Sequence, residues 1–146
     1  MDDNFSPRVK DVIAYSKEEA LRLGHSFIGT EHLMLGILRD GEGKAISILT
    51  SLKVNLESLR KKVEILNPAD IENTSTNEKK NLHLTRQAER ALKTTFLEAK
   101  LFQSDLINTV HLLLCILRNE NDPTTKLLIN LNIDYEIVKD QFKLLI

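Results

Sequence analysis

The sequence predicts an all-α domain of eight helices, built as two four-helix repeats related by a pseudo-twofold axis and packed into one compact unit. Three observations predict it. Apolar residues recur at three- and four-residue spacing along most of the 146-residue chain, and no segment sustains an alternation of period two. The stretch Phe27-Ile28-Gly29-Thr30-Glu31-His32-Leu33-Met34-Leu35-Gly36-Ile37-Leu38-Arg39 returns as Leu106-Ile107-Asn108-Thr109-Val110-His111-Leu112-Leu113-Leu114-Cys115-Ile116-Leu117-Arg118. Offset by 79 residues, Phe5 to Val63 aligns with Leu84 to Phe142 without a gap, and 13 of the 59 pairs are identical, Ala20 with Ala99 and Leu52 with Leu131 among them. Within 1–146, repeat 1 covers about 5–66, a polar linker 67–81, and repeat 2 about 84–145.

The elements follow in order. Phe5-Ser6-Pro7 reads as a helix start: an apolar residue, a serine able to accept from unpaired backbone N–H groups, and proline at the first helical position. Val9, Val12, Ile13, Ser16, Ala20 and Leu23 then mark the inward face, and Gly24 supplies the left-handed stop. After the loop 25–29, Thr30 is the expected cap of a second helix running to about Asp40 and burying Leu33, Ile37, Met34 and Leu38. Gly41-Glu42-Gly43 breaks it. A short helix from Lys44 to Leu52 follows, and Asn55 caps a fourth with Leu56, Leu59, Val63 and Leu66 along one side. The segment 67–81 has little to bury and reads as an exposed linker. Repeat 2 restarts at Leu84-Thr85, with Ala88, Ala91, Leu92, Thr95, Ala99 and Phe102 facing inward. Thr109, Asp122-Pro123 and Asp134 are its remaining helix starts.

Composition narrows the function. The hydrophobic share of 42% and charged share of 28% are ordinary for a soluble globular protein. A net charge of −1 supplies no drive toward nucleic acid or an acidic membrane surface. No apolar run approaches the ~20 residues that span a bilayer, and the acidic start Met1-Asp2-Asp3-Asn4 is unlike a signal peptide. A cytoplasmic location is the resulting expectation. Cys115 is the only cysteine; it pairs with Gly36 and reads as a small buried residue. His32 and His111 lack a second histidine or cysteine at ligand spacing in their own helices, so each reads as a packed histidine bonded to nearby backbone, and no metal is expected. His25 reads as a loop residue. No Gly-x-x-x-x-Gly-Lys-Ser/Thr loop, no Gly-x-Ser-x-Gly elbow and no paired carboxylates announce catalysis, so the chain itself is not expected to be an enzyme. Phe5, Phe27 and Leu84 lie near the inferred junction of the repeats, either as staples of the core or as part of an apolar groove.

Phe-Ser-Pro-Arg-Val, Glu-Glu-Ala-Leu-Arg-Leu-Gly-His, Ile-Gly-Thr-Glu-His-Leu-Met-Leu-Gly-Ile-Leu-Arg and Gly-Glu-Gly together resemble the amino-terminal repeat domain of the Clp chaperone ATPases, and the ClpC type most closely, from Phe5 to about Phe142. The resemblance implies a module at the front of a ring-forming AAA+ unfoldase that delivers proteins to a ClpP-type peptidase. The domain then receives substrate and adaptor proteins. ATP and Mg belong to the parent's ATPase modules, and no cofactor to this chain. An isolated monomer is expected. A free-standing Clp accessory protein and the N-domain of a ClpB-type disaggregase are the alternatives.

ClpC-type domains are similar in recognising phosphoarginine, which needs an anion site and a carboxylate side by side. The resemblance puts the phosphate-contacting hydroxyl on Ser6 and the guanidinium-binding carboxylate on Glu31. Helix N-termini suit phosphate, and a carboxylate suits guanidinium. Each residue also has a plain structural reading, Ser6 as a cap and Glu31 as an acid favoured in a first helical turn. In repeat 2 Thr85 keeps the hydroxyl, but Val110 stands in place of the glutamate, so that site is expected to be degenerate.

Overall fold

Helix starts decide where this chain turns, and most lie where local chemistry puts them. The computed structural model describes residues 4–69 and 82–145. Among these, repeat 1 forms α1 (Pro7–Arg22), α2 (Thr30–Asp40), α3 (Gly43–Ser51) and α4 (Leu56–Glu64); repeat 2 forms α5 (Arg86–Leu101), α6 (Thr109–Arg118), α7 (Pro123–Asn130) and α8 (Tyr135–Leu145). The side-chain oxygens of Ser6, Asn55, Thr85 and Asp134 accept from the backbone N–H of Val9, Ser58, Ala88 and Ile137 at 2.8 to 3.2 Å. Such a cap is worth ~1 kcal/mol. Gly24 takes φ 75° just beyond α1, the left-handed conformation expected of it.

Two expected caps are corrected. Gly29 and Asn108, not Thr30 and Thr109, occupy the cap positions of α2 and α6. The backbone N–H of each cap residue donates to Nδ1 of the histidine three residues on, His32 or His111, at 2.8 Å. The imidazoles close these helix ends, which leaves the threonines free to bond elsewhere. Thr30 Oγ1 donates across to Asp122 Oδ2 (2.6 Å) at the start of α7 and lies 2.9 Å from Thr124 Oγ1. Thr109 Oγ1 accepts from Ala45 N–H (3.1 Å) in the first turn of α3. Each repeat therefore anchors a helix start in the other.

The backbone repeats this exchange. Two short strands, β1 (Phe27–Ile28) and β2 (His83–Leu84), pair in parallel, Phe27 with His83 and Ile28 with Leu84. The equivalent bridge joins Phe5 to Ile107. Two-residue strands are too short to show an alternating pattern, so the periodicity argument passed over them. They tie the leader of α5 to the leader of α2, and the leader of α1 to that of α6.

α2 and α6 form the centre. Every residue from Thr30 to Ile37 and from Thr109 to Leu117 is buried, more than the one-sided face expected from the sequence. A helix that is apolar almost all round must sit inside a fold. Leu33, Met34, Leu35, Ile37, Leu112, Leu113, Leu114 and Ile116 are fully enclosed, each burial stabilising by ~1.5–3 kcal/mol. Gly36 lets α1 cross α2 closely: a Cβ there would lie 2.5 Å from Val12 O and 2.8 Å from Ser16 Oγ. No helix among the described residues is long and apolar enough to cross a membrane.

Candidate functional site

The start of α2 gathers polar groups below the surface. His32 is enclosed, and its Nδ1 already accepts the Gly29 N–H. Its proton therefore sits on Nε2, which lies 2.7 Å from His25 Nδ1. His25 must accept there, so its own Nε2–H points to the carbonyls of Asn67 (3.2 Å) and Pro68 (3.1 Å). One directed chain of hydrogen bonds runs from the α2 cap through two neutral rings to the beginning of the linker. Phe27 stacks on His25 with centroids 5.4 Å apart. Burial, helped by the neighbouring His25, lowers the His32 pKa to about 4.

Glu31 adjoins this chain. It is 5% exposed, and Oε2 accepts from Asn67 Nδ2 at 2.6 Å. Among the described residues no cation forms an ion pair with it. Glu31, His25 and His32 bring three ligand atoms within 4.8 Å of one another, but the donor set does not suit a metal. His32 Nδ1 accepts from the Gly29 N–H, His32 Nε2 carries the proton, and His25 Nδ1 accepts that proton, so of the three groups only the carboxylate keeps a lone pair not already held by this chain of bonds.

Repeat 2 keeps the frame without the chemistry. Val110 replaces Glu31 and is fully buried. Ser104 aligns with His25, and His111 Nε2 has no hydrogen-bond partner among the described residues. Its ring instead packs edge-on against Phe142 (5.9 Å, 81°) and beside Phe102. Burial lowers its pKa to about 4.

The strand exchange crosses the repeats at both candidate hydroxyl residues. Ser6 N–H donates to Ile107 O (3.0 Å), in the leader of the helix that carries Val110. Thr85 N–H donates to Ile28 O (2.9 Å), in the leader of the helix that carries Glu31. The hydroxyl cap of each repeat is thus bonded to the opposite repeat, an arrangement that reading within one repeat cannot give. The histidine pair and Asn67 were also missed. Their one signal was the mismatch of His25 with Ser104 in otherwise matched segments. Asn67 and Pro68 fold back onto the site; 70–81, most of the expected linker, lie outside the described residues.

Phe5 and Leu84, equivalent under the offset, do line a common groove, with Ile13 and Leu92 as a second equivalent pair. It holds about 450 Å³ and is edged by Lys10, Glu89 and Lys93. Phe5 is 8% exposed and belongs to the core, whereas Leu84 is 40% exposed. Phe27 packs on His25 instead. Cys115 is buried, its thiol pushed up to about 12 by desolvation, so it is no nucleophile.

Over residues 4–131 the chain matches the Clp repeat (R) N-terminal domain. It is similar to the negative regulator of genetic competence ClpC/MecB of Bacillus subtilis (strain 168), at 34% identity over 137 residues, 94% of this chain and 16% of that protein. It is also similar to the chaperone protein ClpB of Oceanobacillus iheyensis, at 33% identity over 137 residues, again 94% and 16%. The chain thus spans about 16% of the length of these curated relatives. Among solved structures, the N-domain of ClpV from Vibrio cholerae shares the fold with a TM-score of 0.79 at 12% identity, covering 97% of this chain and 84% of that one.

Proposed function

Given that the chain belongs to the Clp repeat N-terminal domain family, we propose that it is the substrate- and adaptor-recognition domain of a cytoplasmic AAA+ unfoldase, and that Glu31 receives the guanidinium of phosphoarginine-marked proteins. The ATPase modules, with their ATP and Mg, belong to the rest of the parent protein. A ClpP-type peptidase is the partner of that parent. The chain contributes recognition and no catalysis.

One observation carries the reading of Glu31. A carboxylate enclosed in protein with a neutral amide as its partner is costly, because burial removes water and no cation among the described residues compensates. A guanidinium arriving from a ligand supplies that charge, and Asn67 is the group it displaces. The strand exchange makes Thr85, at the N-terminus of α5, the hydroxyl cap bonded next to the α2 leader, and that helix end suits the phosphate. Ser6 is bonded in the same way to the α6 leader, whose helix carries Val110 in place of a carboxylate. The apolar groove of Phe5, Ile13, Leu84 and Leu92 offers a surface for unfolded segments, a feature equally suited to a ClpB-type domain.

Calorimetric titration with phosphoarginine separates these readings. One site is expected in the parent chain, lost in Glu31→Ala and weakened in Thr85→Ala, with Ser6→Ala unaffected; Val110→Glu should create a second site. Loss in Ser6→Ala alone would return the site to repeat 1. No binding by the parent chain would favour the ClpB-type domain.

A further inference from the structure

The groove between α5 and α6 is lined by residues that differ from those at the equivalent positions of repeat 1. Where Gly36 lets α1 settle onto α2, Cys115 places a side chain between α5 and α6. The first pair packs more extensively than the second. Thr94 sits over the sulfur, its Oγ1 3.5 Å from Sγ, and a cavity of about 610 Å³ opens along one stripe of α5. That volume lies within the ~300–1,000 Å³ range of ligand-burying pockets.

The contents of the two stripes differ as well. In repeat 1 the equivalent positions are occupied and electrically closed. Tyr15 lies under the Arg39 guanidinium, 4.6 Å from its centroid. Arg39 pairs with Glu18 and Glu19, and Arg8 with Asp40. In repeat 2 the pair Arg118 and Glu98 remains, but Leu97 and Leu101 replace Glu18 and Arg22, and they stand 49% and 64% exposed. Arg90 and Lys100 line the same groove, and among the described residues neither has an ion-pair partner. The groove is an apolar trough with two unneutralised cations on its edges, in a chain whose net charge is −1.

We propose that the α5/α6 groove docks an acidic amphipathic helix of a partner protein, its apolar side chains resting on Leu97, Leu101 and Thr94 and its carboxylates meeting Arg90 and Lys100. The cations choose the partner's charge, and the straight apolar stripe of α5 chooses a helix laid along it. Arg90 and Lys100 are ten residues apart, so they stand ~15 Å apart along the helix axis. The matching carboxylates then also lie about three helical turns apart. The site is separate from Glu31 and does not depend on phosphoarginine binding.

The probe is a fluorescein-labelled helical peptide with two glutamates ten residues apart and leucines on the same face between them, followed by fluorescence anisotropy against the whole chain. Saturable binding is expected, weakened at least tenfold by Arg90→Glu with Lys100→Glu and by Leu101→Glu, and unchanged by the exposed α1 control Lys17→Glu. A peptide carrying lysines in place of the glutamates should regain binding to the charge-reversed variant. Circular dichroism checks that each variant keeps its helices, and phosphoarginine titration should be the same in all of them. The proposal is overturned if the acidic peptide does not bind, or if it binds the charge-reversed variant and the parent alike. Capture of anionic phosphatidylserine vesicles in preference to the peptide would overturn it in favour of a membrane.

Discussion

Acid should unfold this domain through two enclosed histidines, and the effect can be worked out in advance. His32 and His111 are both fully buried, and burial lowers each from the ordinary 6.5 to about 4. Between those values the unfolded chain takes up protons that the folded chain refuses, so stability is full above pH ~6.5 and falls as the pH drops toward 4. Each histidine then contributes RT ln[(1 + 10^(6.5−pH))/(1 + 10^(4−pH))], a loss of about 2 kcal/mol between pH 7 and pH 5 and about 4 kcal/mol for the pair. Urea titrations followed by far-UV ellipticity at the two pH values measure it. His111→Leu removes one of the two groups, so its loss between the same pH values should halve to about 2 kcal/mol, whatever its stability at pH 7. Equal stability of the parent at both pH values, or an undiminished loss in His111→Leu, would refute the argument.

Two further perturbations test the joints of the fold. Gly36→Ala drives a methyl group against the Val12 carbonyl, a backbone atom that cannot step aside; a cost of ~1–3 kcal/mol should lower the melting temperature by roughly 2–12 °C, and an unchanged melt would contradict the close crossing of α1 and α2. Thr30→Val removes the hydroxyl that donates to Asp122, whose carboxyl burial already raises; the loss should be ~1–3 kcal/mol at neutral pH and should shrink in acid as Asp122 takes up its proton, a trend readable from urea midpoints across the pH range.

Much of the fold was legible because caps and breakers act locally. Ser6-Pro7, Asn55, Thr85 and Asp134 satisfy N–H groups three residues away, and Gly24 needs only its own φ. Thr30 and Thr109 looked like members of the same class, and local chemistry misassigned them. Their real partners lie 92 and 64 residues away, and the histidines had already closed the helix ends. The duplication predicted a pseudo-twofold axis without saying that the repeats would trade strands. Two bonds, Ser6 to Ile107 and Thr85 to Ile28, carry that exchange, and no pattern within one repeat announces them.

The same duplication turns out to be the most useful control in the molecule, because every departure from it has a physical consequence. Glu31 against Val110 places a buried carboxylate in one helix start and an apolar side chain in the other. His25 against Ser104 gives His32 a hydrogen-bond partner and leaves His111 Nε2 without one. Gly36 against Cys115 seats one outer helix closely and puts a buried thiol beneath the other. None of these exchanges disturbs the leucines that fill α2 and α6, so the core tolerates all three. Recognition can therefore diverge between the repeats while their packing stays shared, and each proposed site carries its own internal reference seventy-nine residues away.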